Sequence, residues 1–352
     1  ASTIRRNYPV LGRMRYGLEY LGEFLRQYFF AMDREELPFN RAQRTWIYQA
    51  SKGVDTTQPF GSTRDLRSTG NLLFAHAAFP VLEQDAAVAD PVVIGPHAAK
   101  PYRTGAFFHV SAMSYGAISR NAVLALSRGA ARAGVWMNTG EGGLSPWHLE
   151  GGADLIFQIG TARYGVRDAE GRLSEARLAE VASHPAVRMF EIKLSQGAKP
   201  GKGGLLPGSK ITEEIARIRG IPVGRDSISP NRHPDVAGVE DLLDLIERVR
   251  RVTGRPTGIK FCLGDPHWLD DLFVAIERRG HESAPDFVTI DSKDGGTGAA
   301  PMSLIDFVGM PIRERLPMVV DGLVAAGLSN RIRVIASGKL VNPGEVAWAL
   351  CA

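Results

Sequence analysis

From about residue 101 onward, short apolar segments rich in β-branched residues alternate with amphipathic helical segments. Repeated strand–helix alternation predicts a parallel sheet with right-handed crossover connections. No GxGxxG dinucleotide fingerprint follows any predicted strand, so an α/β fold of the (β/α)8 TIM-barrel type is favoured over a doubly wound sheet. The predicted strands are Phe107–Met113, Val135–Asn138, Leu155–Ile159, Val187–Leu194, Thr257–Leu263, Phe287–Asp291 and Arg331–Ala336.

Helical patterns lie between most of these strands and complete the alternation. They cover Arg120–Ala133, Glu175–Ala182, Val239–Val252 and His267–Arg279. A closed barrel needs an eighth strand, and the sequence reaches only the helix after the seventh strand. We expect the eighth strand beyond Ala352, in a longer protein; closure of the barrel by another element is the alternative.

The first hundred residues have a different character, with aromatic and basic clusters interrupted by prolines. We therefore divide the chain into an N-terminal helical and irregular extension, residues 1–100, and a C-terminally incomplete barrel, residues 101–352. In the extension, Tyr16, Tyr20, Phe24 and Leu25 predict a short amphipathic helix, which Tyr28 continues. Docking against the barrel is the favoured use of this helix, and a membrane surface is the alternative.

Composition limits the class of protein. The chain has 352 residues, of which 44% are hydrophobic and 23% charged, with a net charge of +4, which suits a large core. Interspersed charges argue against a nucleic-acid partner. Two cysteines supply neither a disulfide framework nor a metal site. Without a signal peptide or a run of about 20 apolar residues, the chain is expected to be cytoplasmic.

The stretch Asp286–Pro301, DFVTIDSKDGGTGAAP, combines a predicted buried strand with a glycine cluster. Gly295, Gly296 and Thr297 follow the strand directly, where backbone N–H groups can approach an anion without obstruction from side chains. This predicts a phosphate site at the carboxyl end of the sheet. A tight turn without a ligand is the alternative.

Other predicted strands also end in polar residues, at the face where barrel enzymes carry their sites. Lys260 lies near the end of the fifth strand, and a lysine inside a strand needs an anionic partner. It can belong to a structural ion pair, of the kind that Glu191 and Lys193 suggest, or face a cofactor that becomes negative on reduction. The long glycine-rich loop after the fourth strand can clamp a dicarboxylate or be a solvated basic loop. Its basic residues are Lys199, Lys202, Lys210, Arg217 and Arg219.

Four motifs follow one another along the chain: NTGEGG (Asn138–Gly143), GAKPGKGGLLPG (Gly197–Gly208), SPNRHPD with GVEDL (Ser229–Leu242) and DGGTGAAP (Asp294–Pro301). In this order they resemble the FMN-binding synthase domain of glutamate synthase, and the resemblance runs from about Ala50 to the C-terminus. The N-terminal hundred residues are similar to those of stand-alone FMN-binding glutamate synthase family proteins. Many of these relatives carry apolar segments further upstream, which leaves membrane association through segments outside this chain open.

The resemblance implies a barrel that holds FMN and passes a hydride from its N5 atom to 2-iminoglutarate, formed from 2-oxoglutarate and ammonia, to give L-glutamate. Lys260 would stabilise the anionic reduced flavin, and Glu141 would act with it in catalysis. Flavin contacts would come from Met113, Ser114, Asn138, Thr139, Gln158 and Lys193. Backbone contacts to the phosphate would come from Gly295, Gly296, Thr297 and Gly338. Glu141, Lys199 and Arg219 would bind the oxo-acid.

The chain departs from the family at three places. Leu205 replaces a glutamine of the substrate loop, and the seventh strand ends Ala336–Lys339, ASGK, instead of DGGLK. The cysteine cluster of the family's iron–sulfur centre would lie beyond Ala352. Because no amidotransferase domain precedes the barrel, ammonia, a primary amine or a separate glutaminase would supply nitrogen. An electron-donor protein or reductase subunit and a homo-oligomeric state are further expectations.

Three alternatives remain open at the level of sequence. Methylamine in place of ammonia would give N-methylglutamate. The substitution at Leu205 is compatible with a flavin reaction on another anionic substrate. A non-catalytic scaffold or electron-transfer subunit is the third.

Overall fold

The computed structural model describes residues 6–352, so the first five residues of the predicted extension lie outside the described residues. The chain divides into two compact units. The first contains the described residues up to Val81 together with Val341–Trp348, and the second contains Leu82–Leu340 and Ala349–Ala352.

The first unit contains the predicted amphipathic helix. Helix α1 (Pro9–Leu25) runs directly into a π-helical segment, Arg26–Phe30. The rings of Tyr20 and Phe24 meet edge to face, with centroids 5.3 Å apart. Helix α2 (Arg41–Ser51) begins at Asn40, whose side chain accepts a hydrogen bond from the Gln43 N–H, as expected of an N-cap.

The remaining elements follow in chain order. The strands are β1 (Val92–Ile94), β2 (Tyr102–Thr104), β3 (Met137–Asn138), β4 (Leu155–Ile159), β5 (Val187–Lys193), β6 (Leu205–Leu206), β7 (Ser227–Ile228), β8 (Thr257–Phe261), β9 (Phe287–Asp291) and β10 (Arg333–Ser337). The helices are α3 (Arg120–Ala133), α4 (Pro146–Glu150), α5 (Glu175–Ser183), α6 (Glu213–Arg219), α7 (Val239–Thr253), α8 (His267–Arg279), α9 (Met302–Phe307), α10 (Ile312–Ala325) and α11 (Pro343–Cys351).

Six parallel strands form the main sheet in the order β3-β4-β5-β8-β9-β10, which is also their order along the chain. A doubly wound sheet reverses direction at a switch point, whereas a barrel winds one way. The sheet also curves, because Ser111 Oγ, beside β3, lies 3.3 Å from Ser337 Oγ at the end of β10. The predicted α/β barrel-type fold is therefore confirmed. In the described residues the ring stays open between β10 and β3.

The predicted strand Phe107–Met113 is wrong, since only Val110 pairs there, through a parallel bridge to Met137. The ladder starts regularly, with Val110 N–H donating to Trp136 O and Asn138 N–H donating to Val110 O. The next bond to Asn138 O comes from Met113 N–H, one residue later than a regular ladder requires. This extra residue acts as a bulge and ends the strand.

A short antiparallel hairpin, β1–β2, was not predicted and covers the amino end of the sheet. Ile94 and Tyr102 pack in a buried cluster with residues of β4, β5 and β9. Val93 O accepts a hydrogen bond from Arg333 Nε, at the start of β10, over 3.2 Å. Because the hairpin closes this end, the carboxyl ends of the strands remain as the open face.

A candidate active site at the carboxyl ends of the strands

A buried carboxylate, Glu191 of β5, joins side chains from three other strands. It is 1% exposed and accepts hydrogen bonds from Asn138 Nδ2 at 2.8 Å and Gln158 Nε2 at 2.6 Å. Its other oxygen accepts from Thr289 Oγ1 at 2.6 Å. Asn138, Glu191 and Thr289 come from alternate strands of the winding, as in an interior layer of a barrel. Glu191 therefore fixes the floor of the site.

Lys193 is paired with Glu141, not with Glu191, so the ion pair considered from the sequence is wrong. The Lys193 ammonium lies 2.9 Å from Glu141 Oε1 and 2.6 Å from Gln196 Oε1. Lys193 follows Glu191 by two residues in β5, so both side chains lie on the same face of the strand. Lys193 is the nearer of the two to the NTGEGG loop after β3. Glu191 therefore accepts its hydrogen bonds from neutral side chains, whereas Glu141 is paired with a cation.

Three cations surround Glu141. Burial acts to raise the pKa of its carboxyl group. Lys193 first, then Lys199 and Arg219, act more strongly in the other direction, so this pKa lies below its usual value. Glu141 is consequently an anion at neutral pH. Gly160, after β4, leaves room for the side chain, since a Cβ there would come within 2.6 Å of Glu141 Oε2.

Two of the five basic residues in the long loop after β5 are buried in the site. Lys199 is 8% exposed, and its ammonium donates to Ala299 O at 3.0 Å, which links this loop to the loop after β9. Burial first, and then the charges of Lys193 and Lys202, lower the pKa of Lys199 against the opposing effect of Glu141. Lys202, Lys210 and Arg217 are exposed.

Arg219, the last residue of α6, is 6% exposed. Its guanidinium donates to Tyr115 O at 3.3 Å and lies 5.0 Å from the centroid of the Tyr164 ring. Its Nε atom is buried without a hydrogen-bond partner in the described residues. A buried donor without a partner has a desolvation cost that a bound acceptor relieves. Burial also lowers the pKa of Arg219.

The anionic partner predicted for Lys260 is Asp291, at the end of the next strand. Lys260 Nζ lies 3.5 Å from Asp291 Oδ1, and both side chains are at most 10% exposed. Burial acts to lower the pKa of Lys260, but Asp291 and then Glu191 outweigh it and raise this pKa. Asp291 also accepts from Gly197 N–H at 2.8 Å. Lys260 therefore stays cationic inside the barrel.

The predicted phosphate residues lie together where β9 and β10 end. Gly338 has a φ of +100°, and a Cβ there would come within 2.8 Å of Ser292 Cβ and 3.2 Å of Gly295 Cα. Only glycine fits this position without strain. The N–H of Gly295 already donates to Ser292 O in a turn, at 2.9 Å. Gly296 and Thr297 follow, exposed and partly buried respectively.

The segment after Val110 and the NTGEGG loop pack tightly on each other. Met113 and Ser114 are partly buried, whereas Thr139 is fully buried. A Cβ at Gly140, with its φ of +65°, would come within 2.7 Å of Ser114 N. Thr139 Oγ1 accepts from the Gln158 N–H at 3.1 Å and so ties this loop to β4. The sequence-predicted residues 113, 114, 138, 139 and 158 therefore form one wall.

Leu205 lies in β6, which pairs with β7 in a short antiparallel ribbon within the long connection after β5. Its partner is Ile228, and the two side chains are 52% and 72% exposed. The neighbouring Gly204 lies against Glu141, because a Cβ there would be 3.3 Å from Oε1. An apolar side chain thus stands beside the charged cluster, where the resembling family has an amide.

Sequence reasoning missed three residues that shape the site. Asp291 was assigned only to a strand, and Gly160 carried no signal apart from following a strand. Tyr164, which lies beneath Arg219 and contacts the hydroxyl group of Ser227, lies in a loop without a motif. Among residues 6–352, no group of three or more His, Cys, Asp or Glu side chains is arranged to hold a metal ion. The described helices also include none long and apolar enough for a bilayer span.

Comparison with known proteins places these residues in a family context. Residues 62–352 match the family model described as the conserved region in glutamate synthase. The glutamate synthase large subunit-like protein YerD of Bacillus subtilis (strain 168) is 39% identical over 387 aligned residues, which cover 99% of this chain and 73% of that protein. The archaeal glutamate synthase (NADPH) of Methanocaldococcus jannaschii is 39% identical over 242 residues, 68% of this chain. The chain spans only 44% of that enzyme's length.

Proposed function

Because the chain belongs to the glutamate synthase family, we propose that it is an FMN-dependent oxidoreductase that reductively aminates 2-oxoglutarate to L-glutamate. Ammonia is supplied from elsewhere, and electrons come from a separate donor protein or reductase subunit. The observation that supports the substrate class is the cluster around Glu141. One carboxylate there is surrounded by three cations, Lys193, Lys199 and Arg219, which leaves an excess of two positive charges.

This charge excess matches a dicarboxylate. Lys199 and Arg219 lie in the same long loop but contact different parts of the chain, Ala299 and Tyr115, so they can each take one carboxylate of an oxo-diacid. The buried Arg219 Nε, without a partner in the described residues, would gain an acceptor on binding. A substrate of charge −2 would bring the cluster to neutrality, whereas a neutral substrate would leave the lysines and the arginine unbalanced.

The donor set also fits FMN. Asn138 and Gln158 each use one amide N–H on Glu191 and keep a second along one wall, and Lys260 supplies a cation in the interior. Gly338 and Gly295 keep the ends of β10 and β9 free of side chains, where a phosphate would lie. When bound and reduced by two electrons from the donor protein, FMN would supply a hydride for the two-electron reduction of an imine.

The lowered pKa of Glu141 defines its role. A carboxylate with a low pKa is a poor general base but a stable anion. Glu141 would therefore accept hydrogen bonds from the nitrogen, first of ammonia and then of the iminium group that forms when ammonia adds to C2 of the oxo-acid and the adduct takes up a proton from solvent and loses water. Gly160 gives its side chain this position. Lys193, paired with Glu141, fixes the carboxylate orientation.

The test uses purified protein with FMN added, after the absorption spectrum has established binding near one per chain. 2-Oxoglutarate and ammonium are supplied with dithionite-reduced methyl viologen, and products are identified by mass spectrometry. We expect glutamate, and a loss of at least 100-fold in kcat/KM for Glu141→Gln, about 3 kcal/mol of transition-state stabilisation. Glu277→Gln, a change of an exposed glutamate in α8, serves as the matched control.

The alternatives are separated in the same experiment. A parallel reaction with methylamine tests for N-methylglutamate, the product of the amine-linked variant. If neither product forms while 2-oxoglutarate binds, the chain is a binding or electron-transfer subunit. If FMN binds but 2-oxoglutarate does not, a different anionic substrate replaces it, and the exposed Leu205 is the first residue to examine.

A further inference from the structure

Helix α1 carries a regular apolar stripe that shares only Leu25 with the aromatic face predicted from the sequence. The stripe consists of Leu11, Met14, Leu18, Leu21 and Leu25, spaced 3, 4, 3 and 4 residues apart. This 3.5-residue average is the heptad spacing of a seam between two packed helices. We call these five residues the α1 seam.

The α1 seam is exposed. Its side chains are between 43% exposed, at Leu25, and 66% exposed, at Leu11. The neighbouring aromatic side chain of Tyr20 points away from the seam and contacts Phe24 instead. A continuous row of large apolar side chains open to water is a surface that normally has a partner.

α1 also needs support to remain helical. Gly17 and Gly22 lie in its interior, where glycine weakens a helix by about 1 kcal/mol each. A Cβ at either glycine would meet no atom within 4 Å in the described residues, so neither glycine is required by present packing. They flank the seam on its two sides, where small residues allow a second helix to approach closely.

From these observations we propose that the α1 seam pairs with the α1 seam of a second copy of this chain. The charge balance of α1 favours this occupant over a lipid surface. Within α1, Arg13 and Arg15 are balanced by Glu19 and Glu23, and Arg15 lies 3.0 Å from Glu19. A helix of zero net charge gains nothing from an anionic bilayer, whereas membrane-surface helices usually carry lysines and arginines in excess.

The area suits a reversible dimer. With roughly 100 Å² exposed on each seam residue, two copies would bury about 1,000 Å², at the lower limit for specific interfaces. We therefore expect association in the micromolar range. The full chain is measured by sedimentation equilibrium between 1 and 100 µM, roughly the range such an interface requires.

The seam variant Leu18→Glu/Leu21→Glu is expected to raise the dimer dissociation constant at least tenfold, with unchanged far-UV circular dichroism of the barrel. Tyr20→Glu, on the same helix and 66% exposed at present, is the matched control and should assemble like the parent. If the seam variant assembles as well as the parent, or if the parent is monomeric throughout, the proposal is wrong.

Cross-linking identifies the occupant. In a Cys351→Ser background, which removes the exposed cysteine and leaves buried Cys262, Leu18→Cys should be linked between chains by a short bismaleimide and Tyr20→Cys should not. Equal linking of both would overturn the proposal.

Two other outcomes would identify a different occupant. If the protein is a monomer that co-floats with phosphatidylglycerol vesicles, and Leu18→Glu/Leu21→Glu abolishes this binding, the seam faces a membrane surface instead. A monomer whose Leu18→Cys thiol resists maleimide would indicate docking within the chain.

Discussion

Glu191 is the residue whose replacement tests the architecture of the site most directly. Its carboxylate accepts from two amide groups and one hydroxyl group in a position that is 1% exposed. In Glu191→Leu all three donors lose their acceptor without access to water. At about 1–2 kcal/mol for each unsatisfied donor, the variant should lose about 3–6 kcal/mol of unfolding free energy. This is a large part of the typical 5–15 kcal/mol.

Glu191→Gln is the matched control for this prediction. Its Oε1 atom can still accept from both amides, and its new NH2 group can donate to the Thr289 hydroxyl, which accepts as readily as it donates. We expect a loss of less than about 2 kcal/mol, mainly because Lys260 loses one of the two anions that raise its pKa.

Urea unfolding at pH 7, followed by circular dichroism and tryptophan fluorescence, measures both variants, with coincident transitions as the condition for a two-state treatment. The reasoning would be refuted if Glu191→Leu stayed within about 1 kcal/mol of the parent, or if both variants were equally destabilised.

Three further predictions concern the glycine contact, the acid range and the substrate cation. Gly338→Ala should lower the free energy of unfolding by on the order of 1–3 kcal/mol, because the φ of +100° and the contact with Ser292 exclude a Cβ. In the control, Gly264→Ala, the new Cβ would meet no atom within 4 Å, so the same urea titration should give the unfolding free energy of the parent. Burial lowers the pKa of His109 and of His233 to about 4, so below pH 6.5 the unfolded chain binds more protons than the folded one. Stability should therefore fall by about 2 kcal/mol for each histidine between pH 7 and 5, and a His109→Gln variant that keeps the full slope would contradict this assignment. Because the pKa of Lys199 is lowered, calorimetric affinity for 2-oxoglutarate should weaken as pH rises toward 10 in the parent but not in Lys199→Met, and parallel pH curves for the two would refute the contact.

The strands were predictable where apolar, β-branched runs end at turn formers. Leu155–Ile159 and Phe287–Asp291 match the observed bounds, because their side chains are buried on both faces of the sheet. The segment around Val110 was also predicted to be a strand, but it contains one residue too many for its ladder, a register effect that composition does not encode. The hairpin of Val92–Ile94 and Tyr102–Thr104 is too short for any periodic pattern to indicate.

The site was predictable at the level of motifs and less so at the level of pairs. The need for an anion beside Lys260 follows from desolvation alone, and Asp291 supplies it. The partner of Lys193 could not be predicted from the sequence. Glu191, two residues away on the same strand, was the obvious candidate, whereas the actual partner, Glu141, lies 52 residues earlier in the chain. Which side chains pair depends on which loops meet above the sheet, and this is set by the order and curvature of all the strands.

The pairing pattern separates two layers with different charge requirements. In the lower layer Glu191 and Asp291 face Lys260, and both carboxylates accept hydrogen bonds from donors inside the protein. In the upper layer Glu141 alone faces Lys193, Lys199 and Arg219. The two anions of the lower layer outnumber its one cation, so this layer does not attract a further anion, whereas the upper layer retains an excess positive charge and a buried donor on Arg219. A negatively charged substrate should therefore bind above Lys193 and stabilise the loops after β5 and β9, which Lys199 already connects.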